Sequence, residues 1–289
     1  MYISSANNGI TVSGLSDFDL GQIFECGQTF RFDHEPDGSY VGVADGKIVK
    51  ITQRNGVLQL IGANEHDFKN FWYDYFDLGR DYAAVKSIII VDDVIKSAVN
   101  YGGGIRILRQ DAFEMLISFI ISQNNNIPRI KKIISAICRQ YGKPIPSPFD
   151  NRTFYSFPSA EKLNGLTEND LAFCRCGFRA KYIADAVQKV NNGLDLASLR
   201  TLPYHSAANL LLTVKGVGPK VADCVLLFGA SHFEAFPIDV WMKKAIKILY
   251  NKEPDEFDPA VYGAYGGIAQ QYLFYYMRDH IHDYSHNEN

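Results

Sequence analysis

The sequence has few cysteines, and they form no recognisable framework. There are five, an odd number, and only Cys174 and Cys176 lie close together. A disulfide-stabilised secreted domain would need paired cysteines, so we expect a reducing compartment. The Cys-x-Cys pair could be half of a metal site, but no second pair has a matching spacing and no four cysteines cluster for an iron–sulfur centre. Two small, semi-buried residues are the simpler interpretation.

Long hydrophobic runs are missing as well. The longest, such as residues 115–121, fall well short of the roughly 20 apolar residues that a membrane-spanning helix needs. Residues 1–6 show no basic region followed by an apolar stretch, so no signal peptide is predicted. We therefore expect no membrane partner. If the source is prokaryotic, we expect the protein in the cytoplasm, associated with the nucleoid. If the source is eukaryotic, we expect it in the nucleus.

Neither sign of charge dominates the chain, whose formal net charge is −3. The distribution is uneven, because residues 1–107 carry 9 basic and 14 acidic side chains and residues 108–289 carry 20 and 18. Within residues 120–190 there are 11 basic side chains against 5 acidic ones. Such a local basic zone is typical of a surface that binds a polyanion, although a solvated helix face explains the charges equally well.

The strand and helix signals fall into two consecutive regions. Alternating or β-rich runs separated by Asp45-Gly46 and Asn55-Gly56 predict antiparallel hairpins within residues 8–62. A helix start follows at Asn64, and glycines interrupt the chain at 102–104. The pattern after them is helical. The sequence thus predicts an α+β fold, with an antiparallel β-sheet domain and flanking helices over residues 1–104 and a helical region over residues 105–289.

Individual elements can be placed from hydrophobic periodicity and capping residues. Strands are predicted at residues 29–32, 40–43, 47–51 and 57–60. Helices after the glycine break are predicted at about 110–122, 127–140, 159–163, 168–173, 179–191, 195–200, 205–213, 219–229, 239–250, 258–262 and 266–284.

The helical region contains a glycine-rich turn between two predicted helices. Gly216 and Gly218 flank Val217, and Pro219 then occupies the first position of the second helix, where its missing N–H is no loss. Amides that point outward at a helix N-terminus form a phosphate site. Lys220 lies in that first turn, where the helix dipole disfavours a cation and so favours the neutral, nucleophilic amine. A solvated lysine after a helix connection is an equally good interpretation of this motif alone.

A second predicted helix start places a carboxylate downstream of Lys220. Asp239 follows Pro237 and precedes an apolar helix, which is the setting of an N-cap. Capping alone would explain it. If Asp239 faces Lys220, however, the pair suits displacement at a sugar carbon, with the lysine attacking and the carboxylate stabilising positive charge. Asp223 is the rival carboxylate, although an acid in a first helical turn also simply complements the dipole.

Together these segments closely resemble the helix–hairpin–helix DNA glycosylases, and within that superfamily the 8-oxoguanine DNA glycosylases. The hairpin motif of residues 211–223 with residues 237–240 carries the first match. Further matching blocks follow the family's order along the chain, at residues 18–20, 26–31, 119–130, 177–182 and 269–274. The resemblance implies a TATA-binding-protein-like sheet domain followed by a mostly α-helical domain pair.

The resemblance also implies a role for each matching residue. Lys220 would be the Schiff-base nucleophile and Asp239 the catalytic carboxylate. The Gly27 carbonyl would accept a hydrogen bond from the N7–H that 8-oxoguanine has and guanine lacks. The flipped base would be sandwiched by Cys224 and Phe274 and contacted at its Watson–Crick edge by Gln270. The DNA-binding residues would be Asn124, Arg129, Phe178, Arg179, Gly216, Val217 and Gly218, with Asn124 filling the gap and the two arginines contacting the orphaned base.

Two positions depart from the family pattern. Phe178 stands where many members have a tyrosine, so strict discrimination for cytosine opposite the lesion is not implied. Trp241 stands where some members have a histidine near the phosphate. Neither departure touches the predicted Lys220–Asp239 pair.

The predicted function is therefore excision of 8-oxoguanine from duplex DNA, followed by β-elimination at the abasic site. The expected partner is double-stranded DNA and the expected oligomeric state is a monomer. No cofactor or catalytic metal is required, although the hairpin carbonyls could hold a structural cation. A glycosylase for alkylated bases is the nearest alternative, and a non-catalytic protein that clamps DNA phosphates is another. Lys220 argues against the first and its spacing from Asp239 against the second.

Overall fold

A computed structural model describes residues 1–6 and 8–284 of the chain. The N-terminal part forms a six-stranded antiparallel sheet in the order β1-β2-β6-β5-β4-β3. The strands are β1 Tyr2–Ala6, β2 Gly9–Ser13, β3 Phe32–His34, β4 Tyr40–Ala44, β5 Lys47–Arg54 and β6 Val57–Ile61.

Two tight turns hold the centre of this sheet. Asp45-Gly46 joins β4 to β5 and Asn55-Gly56 joins β5 to β6, and all four residues have positive φ. Two successive left-handed residues twist a hairpin in the same sense as its strands. The predicted antiparallel hairpins are thus confirmed.

Helices cover one face of the sheet and connect it to the rest of the chain. Helix α1 (Leu20–Glu25) follows β2, and a single helical segment follows β6 as α2 (Glu65–Asp67), a π-helical turn (Phe68–Trp72) and α3 (Tyr73–Tyr75). Their apolar side chains, led by Phe24, Phe68 and Trp72, share a core with the inward residues of the strands. Two more helices, α4 (Tyr82–Ile89) and α5 (Asp93–Tyr101), precede the glycine break.

Helices dominate the remainder of the chain. They are α6 Ala112–Ser122, α7 Ile127–Tyr141, α8 Ala180–Asn191, α9 Tyr204–Leu212, α10 Pro219–Ala230, α11 Val240–Tyr250 and α12 Gly266–Tyr284. Short 3₁₀ helices occupy Asn169–Cys174, Gly177–Arg179, Ser198–Arg200 and Pro259–Tyr265. The order of a sheet followed by helices confirms the predicted α+β class. No helix within residues 1–6 and 8–284 combines the length and the hydropathy needed to cross a bilayer.

Several local predictions were wrong. Helix α1 lies where only strands were expected, because the Asp19 side chain caps it by accepting from the Gln22 N–H at 2.9 Å. The strand predicted at residues 29–32 begins only at Phe32, and β1 was not predicted. A two-stranded pair, β7 (Pro144–Pro146) and β8 (Thr153–Tyr155), interrupts the helical region.

Two predicted helices are also shorter or absent. Residues 159–163 form turns, and the segment predicted at 195–200 contains only the 3₁₀ helix Ser198–Arg200. Both are short segments in which side chains such as Asp195, an acceptor for the Ala197 and Ser198 N–H groups, satisfy the backbone without a continuing helix.

The described residues form two hydrophobic cores that interlock across the predicted boundary at residue 104. Helices α4 and α5 contribute to the helical core, as do Cys26 and Phe30 from the loop after α1. Leu108, which follows the boundary in sequence, packs with the sheet. The loop of Cys26 is therefore held against the helical region, and this loop forms one wall of the candidate active site. The division into residues 1–104 and 105–289 itself stays a prediction.

Candidate active site

Six residues singled out in the sequence line one cavity of about 50 Å³. They come from the loop after α1, from the first turns of α10, from the start of α11 and from α12, and they are Gly27, Lys220, Cys224, Asp239, Gln270 and Phe274. More than 240 positions separate the first of them from the last, so only the tertiary fold unites them. A cavity of this size holds a few water molecules, whereas ligand pockets measure roughly 300–1,000 Å³. A base that entered it would have to widen it.

The glycine-rich turn forms the predicted helix–hairpin–helix. Helix α9 ends at Leu212 and α10 begins at Pro219. Gly216 has a φ of +81°, and a Cβ at this position would lie 2.3 Å from the Tyr182 ring on α8. Glycine is thus required here by both conformation and space. Helix α8 also fixes the turn through Asp185, which accepts from the Lys215 N–H at 2.7 Å.

The backbone of the turn leaves some amides available. The Val217 N–H donates to the Val214 carbonyl at 3.0 Å, so it is used within the turn. In the part of the chain that the structure describes, the N–H groups of Gly216 and Gly218 have no acceptor. Gly218 also has open space around its Cα. These two amides are the ones that a phosphate could approach at the start of α10.

Lys220, the second residue of α10, extends its side chain into the cavity over an aromatic surface. Its Nζ lies 5.1 Å from the centroid of the Phe119 ring, which stacks on Phe228 with centroids 5.4 Å apart. Cys224 lies one turn further along α10, on the same face. Burial raises the pKa of the Cys224 thiol to about 11, against the opposing effect of Lys220. The thiol is therefore neutral at physiological pH and serves as a small apolar wall.

Asp239 caps α11 and faces the cavity at the same time. Its Oδ1 accepts from the Met242 N–H at 2.8 Å, which confirms the predicted N-cap. Its Oδ2 has no donor among the described residues, and the side chain is half-buried. The carboxylate is thus held rigidly by one oxygen while the other remains available. No ion pair within 4.0 Å joins it to Lys220 across the cavity in the described part of the chain.

Asp223, the rival carboxylate, lies away from the cavity. The Tyr204 hydroxyl of α9 donates to its Oδ1 at 2.6 Å. Burial raises the pKa of Asp223 to about 6, although this hydrogen bond acts in the opposite direction. Asp223 therefore ties the two helices of the hairpin to each other, and Asp239 is the carboxylate that shares a cavity with Lys220.

Gly27 forms the opposite wall in a left-handed conformation with a φ of +83°. A Cβ at this position would contact the Phe274 ring at 3.5 Å. The neighbouring Gln28 is fully buried and fixes the loop: its Nε2 donates to the carbonyls of Ile23 at 2.9 Å and Arg106 at 2.8 Å. Gln110 in turn donates to the Gln28 carbonyl at 2.8 Å. This network sets the position of the Gly27 backbone.

The remaining wall belongs to α12. Gln270 and its neighbour Gln271 are both buried, and the Gln271 Nε2 donates to the Gln270 Oε1 at 2.8 Å. Phe274 lies one turn later and is partly exposed to the cavity. The site therefore combines an amine, a carboxylate, two amides and several apolar surfaces.

The predicted DNA-binding residues lie on a separate, more open part of the surface. Asn124 is exposed and has a φ of +47°, and Phe178 is 48% exposed. Arg129 is exposed and donates to the Arg175 carbonyl at 3.0 Å. Arg179, in contrast, is only 2% exposed, and its guanidinium donates to the carbonyls of Gln123, Asn124 and Cys176. Its predicted contact with a base stays a prediction, since in this structure its donors hold the Asn124 loop.

Sequence reasoning missed several residues that line or support the site. Phe119, Gln28 and Gln271 all fall inside blocks that had been singled out, and Gln28 and Gln271 directly follow Gly27 and Gln270. The sequence does not reveal which side chains these residues contact. Only the fold shows that Phe119 faces Lys220 and that the Gln271 side chain contacts that of Gln270. Metal ligands are not evident: among residues 1–6 and 8–284, no three His, Cys, Asp or Glu side chains converge. Cys174 and Cys176 are buried.

Two sequence families match consecutive parts of the chain. Residues 11–116 match the 8-oxoguanine DNA glycosylase N-terminal domain, and residues 117–261 match the HhH-GPD superfamily of base excision DNA repair proteins. The second match contains Lys220 and Asp239, and the first contains Gly27. Residues from both matched regions therefore line the same cavity.

Individual proteins are similar over nearly the whole chain. A probable N-glycosylase/DNA lyase of Methanothermobacter thermautotrophicus is 30% identical over 91% of this chain and 95% of its own. The 8-oxoguanine glycosylase/lyase of Clostridium acetobutylicum, solved with double-stranded DNA containing cytosine opposite 8-oxoG, is 41% identical with a TM-score of 0.92, covering 97% of this chain and 99% of that one. A 3-methyladenine DNA glycosylase from Archaeoglobus fulgidus has a TM-score of 0.69 at 19% identity, covering 96% and 98%, which shows a shared fold alone.

Proposed function

The chain belongs to the 8-oxoguanine DNA glycosylase family of the HhH-GPD superfamily, and from this premise we propose that it excises 8-oxoguanine from duplex DNA through Lys220 and Asp239. It is a bifunctional N-glycosylase and DNA lyase. The observation that carries the residue assignment is the shared cavity, in which an amine and a carboxylate from two helix starts lie beside apolar and amide groups.

The first chemical step is displacement at the sugar. The lone pair of the Lys220 Nζ attacks C1′ of the extruded nucleotide as the C1′–N9 bond breaks. The electron pair of that bond leaves with the base, and the proton that the attacking amine gives up is transferred to the departing base. Asp239 stabilises the positive charge that develops on the sugar through its available Oδ2. Because Oδ1 is held by the Met242 N–H, the carboxylate is already oriented before the nucleotide arrives.

The second step is β-elimination. Opening of the sugar ring converts the C1′ adduct with Lys220 into an imine, which acidifies the C2′ protons. Loss of one of these protons breaks the C3′–O bond, so the strand is cleaved and the 3′ phosphate leaves. Water then hydrolyses the imine and restores the lysine. No redox cofactor or catalytic metal takes part in this sequence of bonds, and the hairpin carbonyls are candidates for a structural cation only.

Selection of the damaged base is assigned to the Gly27 carbonyl. It would accept a hydrogen bond from the N7–H of 8-oxoguanine, whereas the N7 lone pair of guanine would be repelled. The network of Gln28 and Gln110 supports this assignment, since it fixes the position of the loop. Cys224 and Phe274 would enclose the base, and Gln270 would contact its Watson–Crick edge.

The DNA itself would be held away from the cavity. The free amides of Gly216 and Gly218 would bind phosphate, and the exposed Asn124, Arg129 and Phe178 would occupy the gap and contact the partner strand. All six residues that line the cavity with assigned roles come from one chain, so a monomer is sufficient for this activity.

A borohydride trapping assay tests the proposal. Wild-type protein is incubated with duplex DNA that carries 8-oxoguanine, and the covalent adduct and released base are measured. We expect an adduct with wild-type protein, and neither adduct nor base release with Lys220→Gln. The matched control is Lys247→Gln on α11, which removes a cation from an exposed ion pair with Glu253. An adduct that persists in Lys220→Gln would place the nucleophile elsewhere.

The same assay, repeated with duplex DNA that carries 3-methyladenine, separates the alternatives. Release of 3-methyladenine without release of 8-oxoguanine would favour a glycosylase for alkylated bases, whose members share this fold. Tight DNA binding without release of any base would favour a non-catalytic clamp.

A further inference from the structure

Gln271 has a buried polar atom that the proposed function leaves unused. Its side-chain Oε1 is buried and has no hydrogen-bond partner in the part of the chain that the structure describes. Gln271 is only 4% exposed, yet it lines the same cavity as Lys220 and Asp239. Burying an acceptor without a donor destabilises a protein, so an orphaned acceptor at a ligand cavity indicates a partner that arrives with the ligand.

The other end of the Gln271 amide determines how Gln270 is presented. The Gln271 Nε2 donates to the Gln270 Oε1 at 2.8 Å, which turns the Gln270 Nε2 away from Gln271. That Nε2 has no acceptor among the described residues. The two side chains therefore form a hydrogen-bonded amide pair whose outer atoms, a donor on Gln270 and an acceptor on Gln271, are both without partners.

This donor–acceptor order matches one kind of base edge. Guanine and 8-oxoguanine present an acceptor, O6, at one end of the Watson–Crick edge and a donor, the exocyclic 2-amine, at the other. Adenine-type bases present a donor, N6, in place of O6 and have no amine at C2. Because the two free atoms are the outer ends of the amide pair, they are separated and suit the two ends of an edge rather than adjacent atoms.

We propose that Gln271 is a specificity-determining residue, whose Oε1 accepts a hydrogen bond from the exocyclic 2-amine of the extruded 8-oxoguanine while its Nε2 holds Gln270 to donate to O6. The inference rests on the proposed function, since it concerns the base that enters the same cavity. It adds to the Gly27 carbonyl, which distinguishes oxidised from normal guanine. Gln271 distinguishes a guanine-type base from an oxidised base that lacks the amine.

The test removes the Gln271 acceptor from the protein and the 2-amine from the base, first separately and then together. Single-turnover excision is measured on duplexes that carry 8-oxoguanine or 8-oxohypoxanthine, which differ only by the 2-amine, with wild-type protein and Gln271→Leu. We expect wild-type protein to favour 8-oxoguanine by about 10-fold, and Gln271→Leu to lose about 10-fold on 8-oxoguanine while its ratio between the two substrates falls towards 1. A control variant, Gln188→Leu on the exposed side of α8, should leave the wild-type ratio unchanged.

Folding is checked with a substrate that has no base. Strand cleavage at a pre-formed abasic site needs Lys220 but nothing at Gln271, so it should persist in Gln271→Leu. If that activity is lost, Gln271→Met, which keeps the length of the side chain, replaces the leucine variant. An undiminished preference for 8-oxoguanine in a variant that still cleaves abasic DNA would overturn the role of Gln271. Equal losses on both substrates would overturn it too. Wild-type protein that releases no 8-oxoguanine, in contrast, would overturn the proposed function itself.

Discussion

Arg179 holds Asn124 in place: its Nη2 donates to the Asn124 carbonyl at 2.8 Å, and Asn124 itself adopts a left-handed conformation with a φ of +47°. The same guanidinium donates from Nε to the Gln123 carbonyl at 2.9 Å and stacks on Phe178 at 4.5 Å. A buried cation thus fixes the turn between α6 and α7, from which Asn124 projects to the surface.

Replacing Arg179 by methionine should affect the protein by loosening the Asn124 loop, and not by removing a contact with the base opposite the lesion. Three carbonyls would lose their donor, so the free energy of unfolding should fall by about 2 kcal/mol or more. Excision should slow to a similar extent opposite cytosine, thymine, adenine and guanine. For the stability measurement alone, Arg129→Met is the matched control, because Arg129 is exposed and its loss should leave stability nearly unchanged. A loss in Arg179→Met confined to cytosine would instead support direct contact with the orphaned base.

Asp239 combines a helix cap with a proposed chemical role, and the two can be separated. Asparagine is an equally good N-cap, so Asp239→Asn should keep the hydrogen bond to the Met242 N–H and change the melting temperature little. Its excision rate should fall by at least about 100-fold, because the negative charge is gone. Asp258→Asn, which replaces the capping residue of the 3₁₀ helix Pro259–Tyr265, should retain activity. Near-normal excision by Asp239→Asn would leave Asp239 as a cap alone.

Asp223 should make the stability of the protein depend on pH. Burial raises its pKa to about 6, so the native state keeps the proton over a range in which the unfolded chain loses it. The free energy of unfolding should therefore fall as the pH rises from about 4 to 6, by on the order of 2 kcal/mol. Asp223→Asn, which keeps an acceptor for the Tyr204 hydroxyl, should abolish that slope. Denaturant unfolding between pH 4 and 7 measures this pH dependence of stability. Asp255→Asn is the control, because Asp255 is exposed.

The two glycines of the hairpin should respond differently to alanine. Gly216→Ala would place a methyl group against the Tyr182 ring in a backbone conformation that alanine avoids, and should cost at least about 2 kcal/mol of stability. Gly218→Ala meets open space in an extended backbone, so its melting temperature should be unchanged. DNA affinity, measured at two salt concentrations, should fall in both variants. Unchanged affinity in Gly218→Ala would show that phosphate does not approach this residue closely.

Local features were predicted well because their causes lie within a few residues. Pro219 after Gly218 marks the start of α10, the N-cap at Asp239 starts α11, and Asn55-Gly56 closes a hairpin. The wrong predictions concern elements that depend on contacts far away in the sequence, or segments that are only a few residues long. Helix α1 is six residues long and packs through Phe24 into a core formed with strands far along the chain.

The amino-acid sequence by itself determined the hairpin, the helix starts that carry Lys220 and Asp239, and the order of sheet and helices, since turn chemistry and capping act over neighbouring residues. Only the tertiary structure decided which of these groups meet. It separated Asp239 from Asp223, because one faces the cavity and the other is bound by Tyr204. It buried the Arg179 side chain, which holds the Asn124 loop. It also placed the hydrogen-bonded pair of Gln270 and Gln271 in the same cavity as Gly27, because residues more than 240 positions apart pack together.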